Sequence, residues 1–196
     1  MTGCFNKGKS DVVKELSKKV DGINSYYIKG ELEIINNEDS YLYDVEVSYK
    51  KEDNFKVDLI NKTNNHEQII LKNADGVYLL TPSLNKSFKF QSDWPYNNSQ
   101  IYLLQTLIKD IKNDEEKIVE EIENGYKITT GVNYANNHNL VKQYIYTDKN
   151  ANITEVEILN NNNIVKMKMK FDKIDLSATY KDDYFDLNKN MKNVET

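Results

Sequence analysis

Val165-Lys166-Met167-Lys168-Met169-Lys170-Phe171 alternates apolar and basic side chains without a break. Successive side chains point to opposite faces only in a strand, so the stretch fits a β-strand with one apolar and one charged face. Met167 and Met169 are expected to face a core, and Lys166, Lys168 and Lys170 to face water. The same period of two spreads outward in both directions. Ile153, Val156 and Ile158 precede it, and before them Val141, Gln143 and Ile145, then Tyr126, Ile128, Thr130 and Val132, then Ile118, Glu120 and Ile122. Nearer the start, Ile28, Gly30, Leu32 and Ile34 alternate with charged residues, as do Tyr41, Tyr43, Val45, Val47 and Tyr49. Phe55, Val57 and Leu59 come next, then Ile69 and Leu71, Val77, Leu79 and Thr81, and Phe88 and Phe90. Polar turns separate these runs, with Asp75-Gly76 and Asn124-Gly125 as the strongest hairpin signals.

Two stretches break the alternation. Val13, Leu16, Val20 and Ile23 recur at helical spacing, with Ser10 as the expected cap, Asp11 suited to the N-terminal dipole and Gly22 to the C-terminus. After the loop Asp93 to Asn98, residues Ile101, Leu104, Leu107, Ile108 and Ile111 mark a second helix, capped by Asn98 or Ser99. The order is helix, five or six strands, helix, four or five strands. A purely up-and-down path through short turns predicts one wide antiparallel sheet, wet on one face and apolar on the other. Such a sheet curls because it twists. The fold class is therefore α+β, mainly antiparallel β: a half-barrel closed by two or three helices, with a linker at 1–9 and a single domain at 10–190. Tyr184-Phe185-Asp186-Leu187 reads as a last anchored segment.

Composition narrows the function. The 196 residues carry a net charge of −5 with acids and bases interleaved, which argues against nucleic-acid binding. All 26 basic residues are lysine. Without arginine, bidentate capture of phosphate or carboxylate is not available. The abundance of Asn, Ile, Lys and Tyr, whose codons are AT-rich, points to a low-GC bacterial source. The single cysteine, Cys4, cannot form an intrachain disulfide. Thr2-Gly3-Cys4 matches the end of a bacterial lipobox, whose cysteine receives a diacylglycerol. Cys4 is accordingly the expected lipid attachment site, with Met1 standing in for a removed signal peptide and the polar stretch from Asn6 to Ser10 as tether.

Catalytic chemistry finds little support. His66 and His138 sit in Asn-rich turns, far from Cys4 and outside any zinc-ligand spacing. The acidic groups at 114–116, 120–121 and 182–183 lack a calcium-loop pattern, and no nucleophile elbow or phosphate loop occurs. No cofactor, metal or catalytic residue is expected. Tyr26, Tyr27, Tyr41, Tyr43 and Tyr49 could line a sugar groove, but tyrosine also packs well across strands. Phe88, Phe90, Trp94, Pro95 and Tyr96 form a dense aromatic loop. As a plug for the open sheet it is structural; exposed, it is a partner-binding site.

The lipobox cysteine, the first helix and the stretch Asp75-Gly76-Val77-Tyr78-Leu79-Leu80-Thr81-Pro82 with Asn85-Lys86 resemble the LolA/LolB/RseB-like lipoproteins. Residues 82–107, including Phe88-Lys89-Phe90-Gln91-Ser92-Asp93-Trp94-Pro95, are similar to their clostridial, GerS-like spore germination branch. The resemblance implies a LolA-like half-barrel without enzymatic activity. It also implies a binding partner, an N-acetylmuramoyl-L-alanine amidase of the CwlD type, and a role in spore-cortex modification and germination. The location it implies is extracytoplasmic, lipid-anchored to a membrane, a forespore membrane of a Gram-positive spore former. True LolA carriers are not lipidated, so Cys4 departs from the carrier pattern. The competing expectation is a lipid or lipoprotein carrier, which needs an empty apolar cavity of several hundred Å³.

Overall fold

The computed structural model of the chain describes residues 9–36, 39–91, 100–134 and 137–191. Eleven antiparallel strands form one sheet. Six leave its middle in chain order: β1 (Ser25–Asn36), β2 (Asp39–Lys50), β3 (Asn54–Asn61), β4 (Glu67–Asn73), β5 (Gly76–Thr81) and β6 (Lys86–Lys89). The chain then crosses to the opposite edge. From there β7 (Ile118–Ile122), β8 (Gly125–Gly131), β9 (Leu140–Asp148), β10 (Ile153–Asn160) and β11 (Val165–Asp175) meander back until β11 pairs with β1. The expected up-and-down path thus holds within each half and fails between them. Consecutive β6 and β7 are the two edges of the sheet, because the segment joining them carries a helix that must bury its apolar stripe against the sheet.

That helix, α2 (Leu104–Asn113), buries Leu104, Leu107, Ile108 and Ile111. It begins a turn later than the pattern suggests: Ile101 is buried but lies in the turn before it. No side chain of its cap residue Leu103 closes the N-terminus. Instead the hydroxyl of Tyr26, on β1, accepts from the Leu104 N–H at 3.2 Å. The first helix, α1 (Lys9–Asp21), is already under way at Lys9, so Ser10 lies inside it. It buries Val12 and Leu16, with Val13 and Val20 at the margin, as is Ile23 just past its end. The helices lie against each other, and Lys112 of α2 pairs with Asp21 of α1 at 2.5 Å. Beneath them Tyr26, Ile28, Val45, Val47, Phe55, Val57, Ile128, Ile145, Val156 and Met169 make one continuous core.

The opposite face is not uniformly wet. Ile69 and Leu71 of β4 alternate with Ile70, and Tyr78 and Leu80 of β5 alternate with Val77 and Leu79, so the first members of each pair point away from the helices. They are nonetheless buried, with Phe185 on top and Tyr180, Leu187 and Met191 around it. The expected C-terminal anchor is therefore a cover over the outer face, ending in the short helix α3 (Leu187–Met191). Polar contacts fix its course. Ser25 donates to the Ala178 carbonyl at 2.5 Å, Tyr180 to the Tyr26 carbonyl at 2.9 Å, and Asn73 to the Phe185 carbonyl at 2.9 Å.

Both hairpin glycines stand one position later than a two-residue Asx-Gly turn would place them. Ala74-Asp75 and Glu123-Asn124 form the turns, while Gly76 and Gly125 open the following strands. Gly76 has φ +142°, a conformation L side chains rarely adopt. At Gly125 a Cβ would stand 1.8 Å from the Thr147 carbonyl oxygen. On β11 the alternation is only partly as expected. Met169 is fully buried, Met167 is half-buried, and Lys170 is exposed. Lys168, expected in water, is instead half-buried on the outer face, with its ammonium 2.8 Å from Glu155 and 3.3 Å from Glu157.

Candidate partner-binding surface

The aromatic stretch begins where β5 ends. Thr81 leads into a single helical turn, Pro82–Leu84, and Asn85, in the left-handed region at φ 48°, donates its N–H to the Pro82 carbonyl at 2.8 Å. This reversal sets β6 against β5 with Leu79 opposite Phe88. Phe88 is 60% exposed, and Leu84 beside the turn is 59% exposed. Phe90 behaves differently. Its N–H donates to the Val77 carbonyl at 2.9 Å and its ring packs against the core, meeting Phe88 edge-to-face at 5.1 Å. Phe88 thus stands in solvent, while Phe90 is packed against the core. Trp94, Pro95 and Tyr96, and Cys4, the expected lipid site, lie outside the described residues. Where the chain resumes, Gln100, Ile101, Tyr102 and Leu103 are all buried and lead into α2.

The tyrosines do not gather into a groove. Tyr26 is buried and stacks on Tyr49 with centroids 4.8 Å apart, Tyr41 is 44% exposed, and Tyr27 lies on the outer face under the Lys173 ammonium. Burial raises the Tyr26 hydroxyl well above its usual pKa, and burial with a bond to Glu46 pushes Tyr27 up to about 12, so both stay protonated donors. His66 and His138 are exposed in turns. Among the described residues no group of His, Cys, Asp and Glu could hold a metal ion.

One polar seam enters the core between α2 and the strands. Gln143, fully buried on β9, donates to the Asp110 carboxylate at 3.0 Å. Burial raises the Asp110 pKa, opposed by that bond. Among the described residues the Thr130 hydroxyl and the Gln143 Oε1 have no partner there, nor has the buried Thr147 hydroxyl further along β9. No signal in the sequence marked Asp110, since its partner is distant in the chain.

Spaces beside the helices are small. One of about 270 Å³ lies between α1, α2 and β11, lined by Leu16, Val20, Leu104, Ile153, Phe171 and Ile174. Another of about 370 Å³ lies under the α2 face near Tyr26 and Tyr49. A larger one, about 990 Å³, is a trough outside the core, between the turns at 50–54 and 73–75 and the C-terminal cover, lined by charged and amide residues together with Tyr180 and Phe185. Among the described residues no helix is long and apolar enough to cross a membrane.

No family model matches the chain. It is 35% identical over 192 residues to the sporulation protein YdcC of Bacillus subtilis (strain 168), an alignment covering 97% of this chain. The chain spans 57% of the length of that curated relative. Among solved structures, it is similar to a chain in the complex of the CwlD amidase from Clostridioides difficile with the GerS lipoprotein, at 20% identity and a TM-score of 0.49, over 92% of this chain and 100% of that one. It is also similar to a putative outer membrane lipoprotein-sorting protein domain from Vibrio parahaemolyticus, at 12% identity and a TM-score of 0.50, over 95% and 99%. With its eleven-stranded open sheet and helices across one face, the chain has the LolA-like fold of the lipoprotein-sorting proteins.

Proposed function

We propose that this chain is a lipid-tethered, non-catalytic partner of a cell-wall N-acetylmuramoyl-L-alanine amidase, activating it during spore-cortex modification. The observation that carries the reading is the filled inner face of the sheet. Leucine, isoleucine, phenylalanine and tyrosine side chains from both helices and the strands occupy the space that a carrier would keep empty. The gaps that remain beside the helices, about 270 and 370 Å³, lie below and at the foot of the range in which drug-sized ligands bury themselves, and a larger one of about 700 Å³ near Ile34 and Met167 is half lined by asparagine. What is left for function is the outer surface. The sporulation context rests on the identity to a sporulation protein, and the amidase on the similarity of residues 75–107 to GerS-like lipoproteins. Preferential binding to the active form of an enzyme shifts its population towards that form, so activation needs no catalytic group here.

Calorimetry of the purified protein with a CwlD-type amidase tests this. Binding is expected, together with faster stem-peptide release from cortex muropeptides than the amidase achieves alone, and no release by this protein by itself. Absence of binding removes the activator reading. Trp94→Ala and Tyr96→Ala, measured the same way, test whether the contact includes the aromatic stretch 88–96; binding that survives both moves the interface elsewhere.

A further inference from the structure

The charge of this protein is not spread over it. Residues 114–123 read Asp-Glu-Glu-Lys-Ile-Val-Glu-Glu-Ile-Glu, six carboxylates with one lysine, a local charge of −5. The whole chain also carries −5, so everything else is neutral in sum. This segment leads into β7 and makes it up, and β7 is an edge of the sheet: one side pairs with β8, α1 lies near it, and among the described residues no strand pairs with the other side. Two of its apolar residues are left in solvent. Val119 turns inward, opposite Ile128, and packs against the core. Ile118 and Ile122, on the other face, are 57% and 38% exposed. Lys127 neutralises Glu120 at 2.7 Å. Among the described residues Glu121 and Glu123 have no ion pair.

A free edge with exposed isoleucines invites a further strand. Negative charge alone would only keep copies of this chain apart, since pairing β7 with itself brings glutamates together. It does not account for the exposed isoleucines, which cost solvation in the absence of a partner. We infer that the β7 edge takes an extended segment of the partner protein as a twelfth strand, one in which lysines or arginines alternate with β-branched residues. Main-chain hydrogen bonds would supply affinity, the isoleucines apolar contact and register, and the glutamates selection of basic over acidic segments. This rests on the reading that the protein works by binding another, and it names where.

A peptide of alternating lysine and valine is the probe, titrated by fluorescence anisotropy against the full chain. Saturable binding is expected, with amide exchange slowed at Val119 to Ile122. The double substitution Glu121→Lys/Glu123→Lys should weaken it about tenfold or more, without altering the unfolding midpoint. Ile118→Ser should weaken it as well. A lysine-proline peptide of equal charge cannot add a strand. If it binds as tightly, the attraction is diffuse charge only and the inference is overturned; slowed exchange elsewhere overturns it too. Amidase binding separates the two readings. A Glu121→Lys/Glu123→Lys protein that binds amidase normally removes this surface and keeps the partner, whereas peptide binding without amidase binding keeps the surface and removes the amidase.

Discussion

Tyr26 shows how much one residue can organise. Its ring stacks on Tyr49, its hydroxyl receives the Leu104 N–H at the start of α2 and bonds Gln105, and its carbonyl receives the Tyr180 hydroxyl from the C-terminal cover. One side chain on β1 thus ties the inner helix layer and, through its backbone, the outer layer. Lys168 carries a sharper consequence. Burial works against its charge, but Glu155 and Glu157 outweigh that and hold the ammonium above its usual pKa. Lys168→Glu would place three carboxylates together, and a loss of roughly 1–3 kcal/mol is expected. Met169→Asp buries a carboxylate with no partner and should cost more than about 4 kcal/mol or abolish folding. Urea unfolding of both variants decides this: a Lys168→Glu protein as stable as the unmutated one would show that the triad does not hold in solution. Gly30 belongs at this scale as well, since a Cβ there would stand 2.1 Å from the Lys170 carbonyl oxygen, at the register shift between β1 and β11.

Among elements, the C-terminal segment differs most from its sequence pattern. It has one short helix and few apolar residues, yet it covers Ile69, Leu71, Tyr78 and Leu80, which would otherwise be an exposed apolar patch on β4 and β5. Phe185 is its centre, buried among Tyr180, Tyr184 and the strand residues. Phe185→Ala should destabilise by about 3–5 kcal/mol if the cover unfolds with the domain. If it detaches locally, amide exchange should accelerate across 179–191 while β8 to β10 remain protected. Unchanged exchange in that segment would mean that its hydrogen bonds, such as Asn73 to the Phe185 carbonyl, hold it without the ring.

Across the whole molecule, the two meanders meet at β1 and β11, and β6 and β7 stand at opposite ends of the strand order. Exposed Leu84 and Phe88 flank one edge, and the carboxylates and isoleucines of 114–123 the other. A tether at Cys4 would hold this body beside a membrane through the chain leading into α1. Cys4→Ala, expressed with a native signal peptide, should move the protein from the membrane to the soluble fraction. Membrane association that persists removes the lipid anchor.

The strands, the two amphipathic helices and the antiparallel class were legible in the residues alone, because a period of two or of 3.6 is a local property of the chain. The alternation of Met167 and Met169 with lysines, and the aliphatic stripe from Leu104 to Ile111, could be read without any knowledge of neighbours. The resemblance carried by residues 75–107 reached the LolA-like fold in the same way. What each face meets was set by long-range packing. Alternation says that Leu71 and Ile70 point opposite ways, but not that a segment more than a hundred residues later covers Leu71. Nor could it say that Tyr26 would cap α2 in place of Asn98 or Ser99, that Lys168 would lie between two glutamates, or that the acidic run would fall on the unpaired edge. Each depends on pairings between distant parts of the chain, and the register and order of strands are settled by packing the whole sheet against its helices, not by any one segment.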